Sequence, residues 1–203
     1  MASRKIGKVV VKNTALFICD LQEKFRSTIK HFPQITQVSG RLLAAANVLQ
    51  MPVLVTEQYP KGLGHTVSEL DVVGHKVFPK TVFSMFVPDV QRELEKYKDI
   101  KSVVLCGIET HACIQQTVFD LLENDYDVHV VVDACSSRSL VDRMYALQRI
   151  REAGAHLTTS ESIILGLVRD SSHPKFKDIQ KLIMEVAPDS ALLSGAIEST
   201  ASV

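Results

Sequence analysis

The stretch Thr14-Ala15-Leu16-Phe17-Ile18-Cys19 is a short apolar run in which polar positions do not alternate with apolar ones. Runs of this length and character are typical of strands that are buried on both faces of a parallel sheet. Further runs of the same kind follow along the chain: Val53–Thr56, Val103–Cys106, Val128–Val132 and Ala155–Thr158. We interpret each of them as a strand of a mostly parallel sheet.

Segments with helical periodicity lie between these strands. Apolar residues recur every three or four positions and form one stripe along each predicted helix. The predicted helices are Pro33–Gln50, Pro88–Lys96, Thr110–Glu123 and Leu140–Ala153. Thr110 is suited to the N-cap of the helix Thr110–Glu123, and Gly154 to the C-cap of the helix Leu140–Ala153. Strands that alternate with helices predict an α/β fold, a doubly wound three-layer αβα sandwich with a Rossmann-like sheet.

Length and composition favour one globular domain. The chain has 203 residues, of which 46% are hydrophobic and 23% are charged, as in an average soluble protein. We place the domain at residues 13–186 and expect the small, polar residues 187–203 to form a mobile tail. The segment Glu57–Thr81 contains several glycines and has weak periodicity, so we expect a long connection of the kind that often binds ligands.

Charge and cysteine content argue against several classes of function. The 23 Lys and Arg residues balance 23 Asp and Glu residues, so no positive field attracts nucleic acid. The longest apolar runs fall far short of the ~20 residues of a membrane span. The cysteines lie in or next to apolar runs, which is typical of a reduced interior. We expect a cytoplasmic protein with no secretory signal and no nucleic-acid or membrane partner. The alternative is mitochondrial targeting, because the chain begins with several basic residues: Arg4, Lys5, Lys8 and Lys12.

Two charged side chains stand out beside apolar segments. Asp20 directly follows the first predicted strand, and ligands of open α/β sheets bind beyond the carboxyl ends of the strands. Burying this carboxylate would cost several kcal/mol without partners, and its structural alternative is the N-cap of a short turn. Lys80 interrupts the apolar stretch Val77–Phe83. Its structural alternative is a surface lysine whose stem covers apolar neighbours.

One of the cysteines has a position suited to chemistry. Cys113 falls in the first turn of the helix predicted to begin at Thr110. There the helix dipole and unpaired N–H groups favour a thiolate and can also bind an oxyanion. The alternative is a small core thiol, which is how we interpret Cys19, Cys106 and Cys135.

The order of Asp20, Lys80 and Cys113 resembles that of the isochorismatase-like cysteine hydrolases. In that family the Asp belongs to a D-x-Q motif, here Asp20-Leu21-Gln22, and the Cys ends a segment that here runs from Gly107 to Cys113. The resemblance covers roughly Asn13 to Lys181. The residues that look most like one vertebrate branch of the family are 20–25, 56–60 and 132–138.

The resemblance implies a covalent mechanism on a small-molecule substrate. Asp20 would accept the proton of Cys113, the thiolate would attack an amide or related carbonyl, and Lys80 would keep both groups aligned. A cis peptide bond between Ile108 and Glu109 would direct the N–H of Glu109 towards the oxyanion. The family's members that hydrolyse isochorismate lack the nucleophilic cysteine, so its presence here argues against that substrate.

The resemblance also suggests the surroundings of the site. Gln22, Phe25 and Tyr59 correspond to substrate-pocket positions, although Phe25 fits an ordinary core aromatic equally well. The family's metal-binding members bind the metal through an Asp and two His. This chain offers Glu57, His65 and His75, which do not have the D-x-H arrangement of those members. We therefore expect no metal and no cofactor. His111 is interpreted as a pocket wall or helix-surface residue. Family members commonly form symmetric assemblies, which implies a homo-oligomer.

Alternative functions remain open at this point. A protein that retains an inherited pocket could serve as a non-catalytic binding or scaffold protein, and a protein partner is not readable from the sequence. Cys113 could instead sense oxidants, with the acid and the lysine tuning its thiolate. A dinucleotide-binding oxidoreductase is disfavoured because none of the nine glycines forms G-x-G-x-x-G.

Overall fold

The structure, a computed structural model, describes residues 6–189. Within this range the strands form a single parallel sheet in the order β3-β2-β1-β4-β5-β6. The strands are β1 (Thr14–Cys19), β2 (Val53–Gln58), β3 (Lys76–Lys80), β4 (Ser102–Gly107), β5 (Asp127–Cys135) and β6 (His156–Thr158). The central strands β1 and β4 are buried along their whole length, as their unbroken apolar runs predict.

Helices cover both faces of the sheet. They are α1 (Phe32–Val48), α2 (Pro60–Leu63), α3 (Pro88–Leu94), α4 (Gln115–Glu123), α5 (Leu140–Glu152), α6 (Ser160–Val168) and α7 (Phe176–Met184). Helix α1 packs on β1, β4 and β5 and contacts α6 and α7, whereas α4 packs on β5 beside α5. The predicted doubly wound αβα sandwich is therefore confirmed.

Strand β3 was not predicted, and the interpretation of Glu57–Thr81 as one long connection is wrong in part. The segment contains the end of β2, the single-turn helix α2 and the edge strand β3. In β3 only Lys80 is buried, so the strand lacks the apolar run that marks the interior strands. Pro79 is also tolerated there because an edge strand need not donate a hydrogen bond at every residue.

The chain order in the sheet reverses between β1 and β4, which are neighbours. A crevice forms at the carboxyl ends of strands at such a switch point, and it is where open α/β folds bind ligands. Gly107 ends β4 with φ +119°, and a Cβ atom on it would lie 2.1 Å from the carbonyl oxygen of Cys19. The two strand ends can therefore approach this closely only because residue 107 is glycine.

Some of the sequence expectations concern the ends of the chain. Within the expected tail 187–203, residues 190–203 lie outside the described residues, as do Arg4 and Lys5. Across the part of the chain that is described, no helix has both the length and the apolar character needed to cross a bilayer.

Candidate active site

Asp20 occupies the carboxyl end of β1 and is completely surrounded by protein. It is 1% exposed, and its backbone takes up the left-handed conformation with φ 52°. The hydroxyl of Thr56 donates to Oδ1 at 2.7 Å, and the ammonium of Lys80 donates to Oδ2 at 2.7 Å. The next short helical turn begins after Gln22. Asp20 is therefore a buried, partnered carboxylate and not the N-cap that was its structural alternative.

Lys80 ends β3, and its ammonium group lies inside the protein. Besides Asp20, it donates to Gln58 Oε1 at 2.7 Å and to the carbonyl oxygens of Phe83 at 2.8 Å and Val82 at 3.3 Å. Burial acts to lower the pKa of Lys80, but the neighbouring acidic groups of Cys19, Asp20 and Cys113 outweigh it and raise the pKa above its usual value. Lys80 is thus a buried cation and not a snorkelling surface lysine.

Cys113 lies in a π-helical turn, Thr110–Ile114, that precedes α4. The expected N-cap at Thr110 is wrong: Glu109 takes that position without a side-chain cap bond, and the Thr110 hydroxyl donates to the carbonyl oxygen of Ser136 at 3.0 Å. Cys113 nevertheless falls in the first turn and is 7% exposed. Its sulfur, a carboxylate oxygen of Asp20 and the sulfur of Cys19 all lie within 4.8 Å of one another.

The other three cysteines have the character of protonated core thiols. Burial, a hydrogen bond with Cys113 and the charge of Asp20 raise the pKa of Cys19 well above its usual value. Burial raises the pKa of Cys106 to about 12 and also raises that of Cys135. All four cysteines are unpaired. A thiolate is therefore disfavoured at three of the four positions.

The segment that follows β5 supports the cysteine turn. The carbonyl oxygen of Ser136 accepts from the backbone N–H of Thr110 at 2.9 Å, and the Glu109 carboxylate accepts from the backbone N–H of Arg138 at 3.0 Å. The peptide bond between Ile108 and Glu109 is cis, as the family resemblance implied. His111 Nδ1 lies 3.0 Å from the Ser137 hydroxyl, so its ring helps to hold the same segment.

The three residues expected in the substrate pocket have different surroundings. Gln22 is fully buried, and its side-chain amide binds the backbone of Gln58 and Gly64. Phe25 is half-buried against the hydrophobic core. Tyr59 is 56% exposed, and its ring covers Gly62. The contacts of Gln22 and Phe25 are those of structural residues, and Tyr59 alone presents a large free surface.

In the part of the chain that the structure describes, Glu57 pairs with His65 but does not form a three-ligand cluster with His65 and His75. Glu57 Oε2 lies 3.0 Å from His65 Nδ1, while its other oxygen accepts from the backbone N–H and the hydroxyl of Thr66. Among the described residues, three possible metal ligands lie close together at one place, namely Cys19, Asp20 and Cys113. Lys80 already supplies a positive charge against that carboxylate.

Sequence reasoning missed the residues that hold the charged pair. Thr56 and Gln58 contact Asp20 and Lys80, respectively, from the end of β2. Both are polar residues at the end of a buried apolar run, the same signal that singled out Asp20. That signal indicates their location but not which charged group each would contact.

The fold and the site define an α/β protein with a buried acid–lysine pair beside a cysteine turn. The family model described as Isochorismatase domain matches residues 14–162. The chain belongs to the isochorismatase family, which confirms the resemblance seen in the sequence. The isochorismatase domain-containing protein 2 of Xenopus laevis is 58% identical over 191 residues, covering 94% of this chain and 93% of its own.

Solved structures show the same fold. A structure described as the MAR1 ribonuclease of Caenorhabditis elegans aligns with a TM-score of 0.87 and 54% identity, over 91% of this chain and 96% of its own. The YcaC gene product of Escherichia coli, described as an octameric hydrolase of unknown specificity, aligns with a TM-score of 0.83. At 20% identity, over 98% of this chain and 100% of its own, that likeness concerns the fold alone.

Proposed function

We propose that this chain hydrolyses a small amide, ureide or related carbonyl compound through a thioester on Cys113. The observation that carries the proposal is the meeting of three side chains from distant parts of the sequence. Lys80 pairs with Asp20 at 2.7 Å, and Cys113 Sγ lies within 4.8 Å of the same carboxylate. A thiol beside a buried base that a third group orients is the arrangement expected of nucleophilic catalysis.

In the first half-reaction, Asp20 takes the proton of the Cys113 thiol. Each carboxylate oxygen holds two lone pairs, so the bonds from Thr56 and Lys80 leave acceptor capacity for this proton. The thiolate adds to the carbonyl carbon, and the resulting oxyanion is stabilised by backbone N–H groups at the cysteine turn, with Glu109 and Cys113 as the candidates. The C–N bond then breaks, the amine leaves with the proton from Asp20, and an acyl thioester remains.

In the second half-reaction, water replaces the amine. Asp20, now ionised again, removes a proton from a water molecule that attacks the thioester carbonyl. The C–S bond breaks, and Cys113 recovers a proton as the acid product forms. Lys80 holds the Asp20 carboxylate in position between the steps, because its ammonium donates to Oδ2 at 2.7 Å.

Exposed apolar side chains near Lys80 suggest where a substrate would lie. Tyr59, Val82 and Phe83 are each more than half exposed, and the backbone of each residue contacts Lys80. We propose that this rim receives the apolar part of a small substrate. We also propose a cytoplasmic homo-oligomer. The unpaired cysteines are typical of a reducing compartment, and the family resemblance implies a symmetric assembly.

The proposal is tested by a screen of small amides, ureides and carbamates in which released ammonia is measured. The Cys113→Ala variant should lower the rate on any active compound at least about 10³-fold, because the nucleophile is lost. Cys106→Ala, another buried thiol, is the matched control and should keep most of the activity. Equal turnover by wild type and Cys113→Ala would overturn the nucleophile assignment.

A second candidate function is RNA cleavage, because the Caenorhabditis elegans neighbour with 54% identity is described as a ribonuclease. The balanced charge of this chain gives little general attraction to a phosphate backbone. The same protein preparations should be incubated with a labelled RNA oligonucleotide. Cleavage that is lost in Cys113→Ala would favour this candidate, whereas cleavage that persists in that variant would place any ribonuclease activity elsewhere.

A further inference from the structure

A recess lies near the amino ends of the strands, whereas the cysteine turn follows the carboxyl end of β4. It opens at the β5–β6 edge, near the amino ends of these strands, between the segment Ile6–Val9 and helix α6. Its volume is about 560 Å³, within the range of small-molecule sites in proteins. None of the residues that form the Asp20 site contributes to it. The recess is therefore a separate feature of the molecule.

The polar side chains of this recess are basic or hydroxylic. Those that line it are Lys8, His129, His156, Thr158, Ser162 and Arg169. Among the described lining residues none is acidic. Lys8 and Arg169 are exposed and belong to different segments of the lining, the N-terminal segment and the residue that follows α6. This composition favours a negatively charged ligand.

The lining of the recess includes a buried histidine with one unpartnered ring nitrogen among the described residues. His129 on β5 is 2% exposed, and its Nε2 atom has no hydrogen-bond partner among the described residues. Buried polar atoms are nearly always partnered, and an unpartnered one calls for an explanation. The buried ring therefore lies beside the recess with one nitrogen that the described protein groups do not bind.

The N-terminal segment fixes the position of the two imidazole rings. The rings of His129 and His156 stack with centroids 5.0 Å apart and an interplanar angle of 24°. The outer ring, that of His156, lies against Gly7, where a Cβ atom would come within 2.7 Å of it. Gly7 also has φ +71°, a conformation that favours glycine. The pair is therefore held in a defined arrangement before any ligand binds.

We propose that this recess binds a small soluble phosphate compound, with Lys8 and Arg169 contacting the anion beside the stacked pair of His129 and His156. Arginine and lysine are the side chains that most often bind phosphate oxygens, through charge-assisted hydrogen bonds. The volume leaves room for a compact organic group on the phosphate. This site does not depend on the hydrolase function proposed above, because it shares no residue with it.

Binding should be coupled to proton uptake. Burial and the neighbouring His156 lower the pKa of His129 to about 4, and the charge of Asp127 on the same strand opposes this effect. The other charged groups at the recess are Lys8 and Arg169. An anion would raise the pKa of His129, because it favours the charged imidazole. Phosphate should therefore bring a proton with it near pH 6.

The test is isothermal titration calorimetry of the full chain with inorganic phosphate at pH 6, in two buffers of different ionisation enthalpy. We expect one phosphate per chain and a buffer-dependent heat that reports proton uptake. Arg169→Gln should weaken binding at least about tenfold, as expected for loss of a charge-assisted hydrogen bond. Arg151→Gln, an exposed arginine outside the recess, is the matched control and should bind as wild type does.

A second pair of variants and a spectroscopic measurement complete the test. Lys8→Gln should weaken binding, whereas Lys12→Gln should leave it unchanged. In proton NMR, phosphate should shift the imidazole signals of His129 and His156, with His129→Gln used to assign the first. No phosphate binding by wild type, or equal binding by Arg169→Gln and Arg151→Gln, would overturn the proposal. Cys113→Ala should bind phosphate normally, so failure of the hydrolase proposal would leave this result intact.

Discussion

At the carboxyl edge of the sheet, the Lys80 side chain is 0% exposed, and its ammonium donates to a carboxylate, a side-chain amide and backbone carbonyls. At the β5–β6 edge, His129 is 2% exposed, and its Nε2 atom has no partner among the described residues. The two groups are equally removed from water, yet one carries a charge and the other is held neutral.

The difference shows what a buried ionisable group requires. A buried charge is stable only when partners replace the lost water, and Asp20 and Lys80 meet that requirement for each other. Without such partners, His129 avoids the penalty by losing its proton, so its pKa falls to about 4. The first arrangement suits a permanent charge, and the second suits a group that gains its charge when a ligand binds.

Breaking the charged pair should produce the largest effect. Asp20→Asn would leave Lys80 buried without a counter-charge and should lower the free energy of unfolding by about 3–5 kcal/mol. It should also abolish hydrolysis, because the general base is lost. Urea denaturation and the ammonia assay measure the two effects. The double variant Asp20→Asn/Lys80→Met should recover part of the stability but no activity; a double variant no more stable than Asp20→Asn would contradict the pairing.

The unpaired histidine should make stability depend on pH. The unfolded chain binds a proton at His129 below about pH 6.5, whereas the folded chain binds it only near pH 4. Stability should therefore fall as the pH drops from about 6.5 to about 4, by up to about 3 kcal/mol. His129→Gln should flatten this part of a stability–pH profile in phosphate-free buffer. His75→Gln is the control, and a flattening of equal size there would disprove the assignment.

A smaller effect is expected from the support of Asp20. Thr56→Val keeps the shape of the side chain but removes the hydroxyl that donates to Oδ1. The loss of this buried bond should cost about 1–3 kcal/mol of stability and reduce turnover, because the carboxylate is less firmly oriented. Thr28→Val, at an exposed hydroxyl, serves as the control. A turnover unchanged by Thr56→Val would show that Lys80 alone orients the carboxylate.

The smallest effect on stability is expected from the loss of exposed ion pairs on the surface. Arg26 forms ion pairs with Glu23 and Glu69, and all three side chains are at least one-third exposed. Water screens such pairs, so Arg26→Gln should change the free energy of unfolding by less than about 1 kcal/mol. If Arg26→Gln lost as much stability as Asp20→Asn in the same urea experiment, burial would not explain why the Asp20–Lys80 pair contributes more than the Arg26 pairs.

Sequence patterns predicted most of the interior. The unbroken apolar runs located the interior strands β1, β2, β4 and β5, because burial on both faces leaves a clear signal, and a shorter run located the half-buried edge strand β6. The pattern failed at β3, where an edge strand buries little apart from Lys80. It also failed at Thr110, whose hydroxyl binds the Ser136 carbonyl instead of capping the helix. That contact depends on the segment after β5, which no local pattern near Thr110 reveals.

The site was predicted in its principal residues but not in its support. Asp20, Lys80 and Cys113 each follow or interrupt an apolar run, and the family motif joins them. The contacts of Thr56 and Gln58 follow from the register between β1, β2 and β3, which pairs Cys19 with Thr56 and Gln58 with Lys80. Residues distant in sequence meet there, so local spacing could not assign their roles.

The most direct test of the central claim is the order in which the four thiols react with iodoacetamide at neutral pH, followed by peptide mass spectrometry. Cys113 should be labelled first, ahead of Cys19, Cys106 and Cys135, and its rate should fall in Asp20→Asn, which lacks the base that removes the thiol proton. Labelling of Cys113 no faster than that of the three core thiols, or at the same rate in wild type and Asp20→Asn, would contradict a nucleophile activated by Asp20.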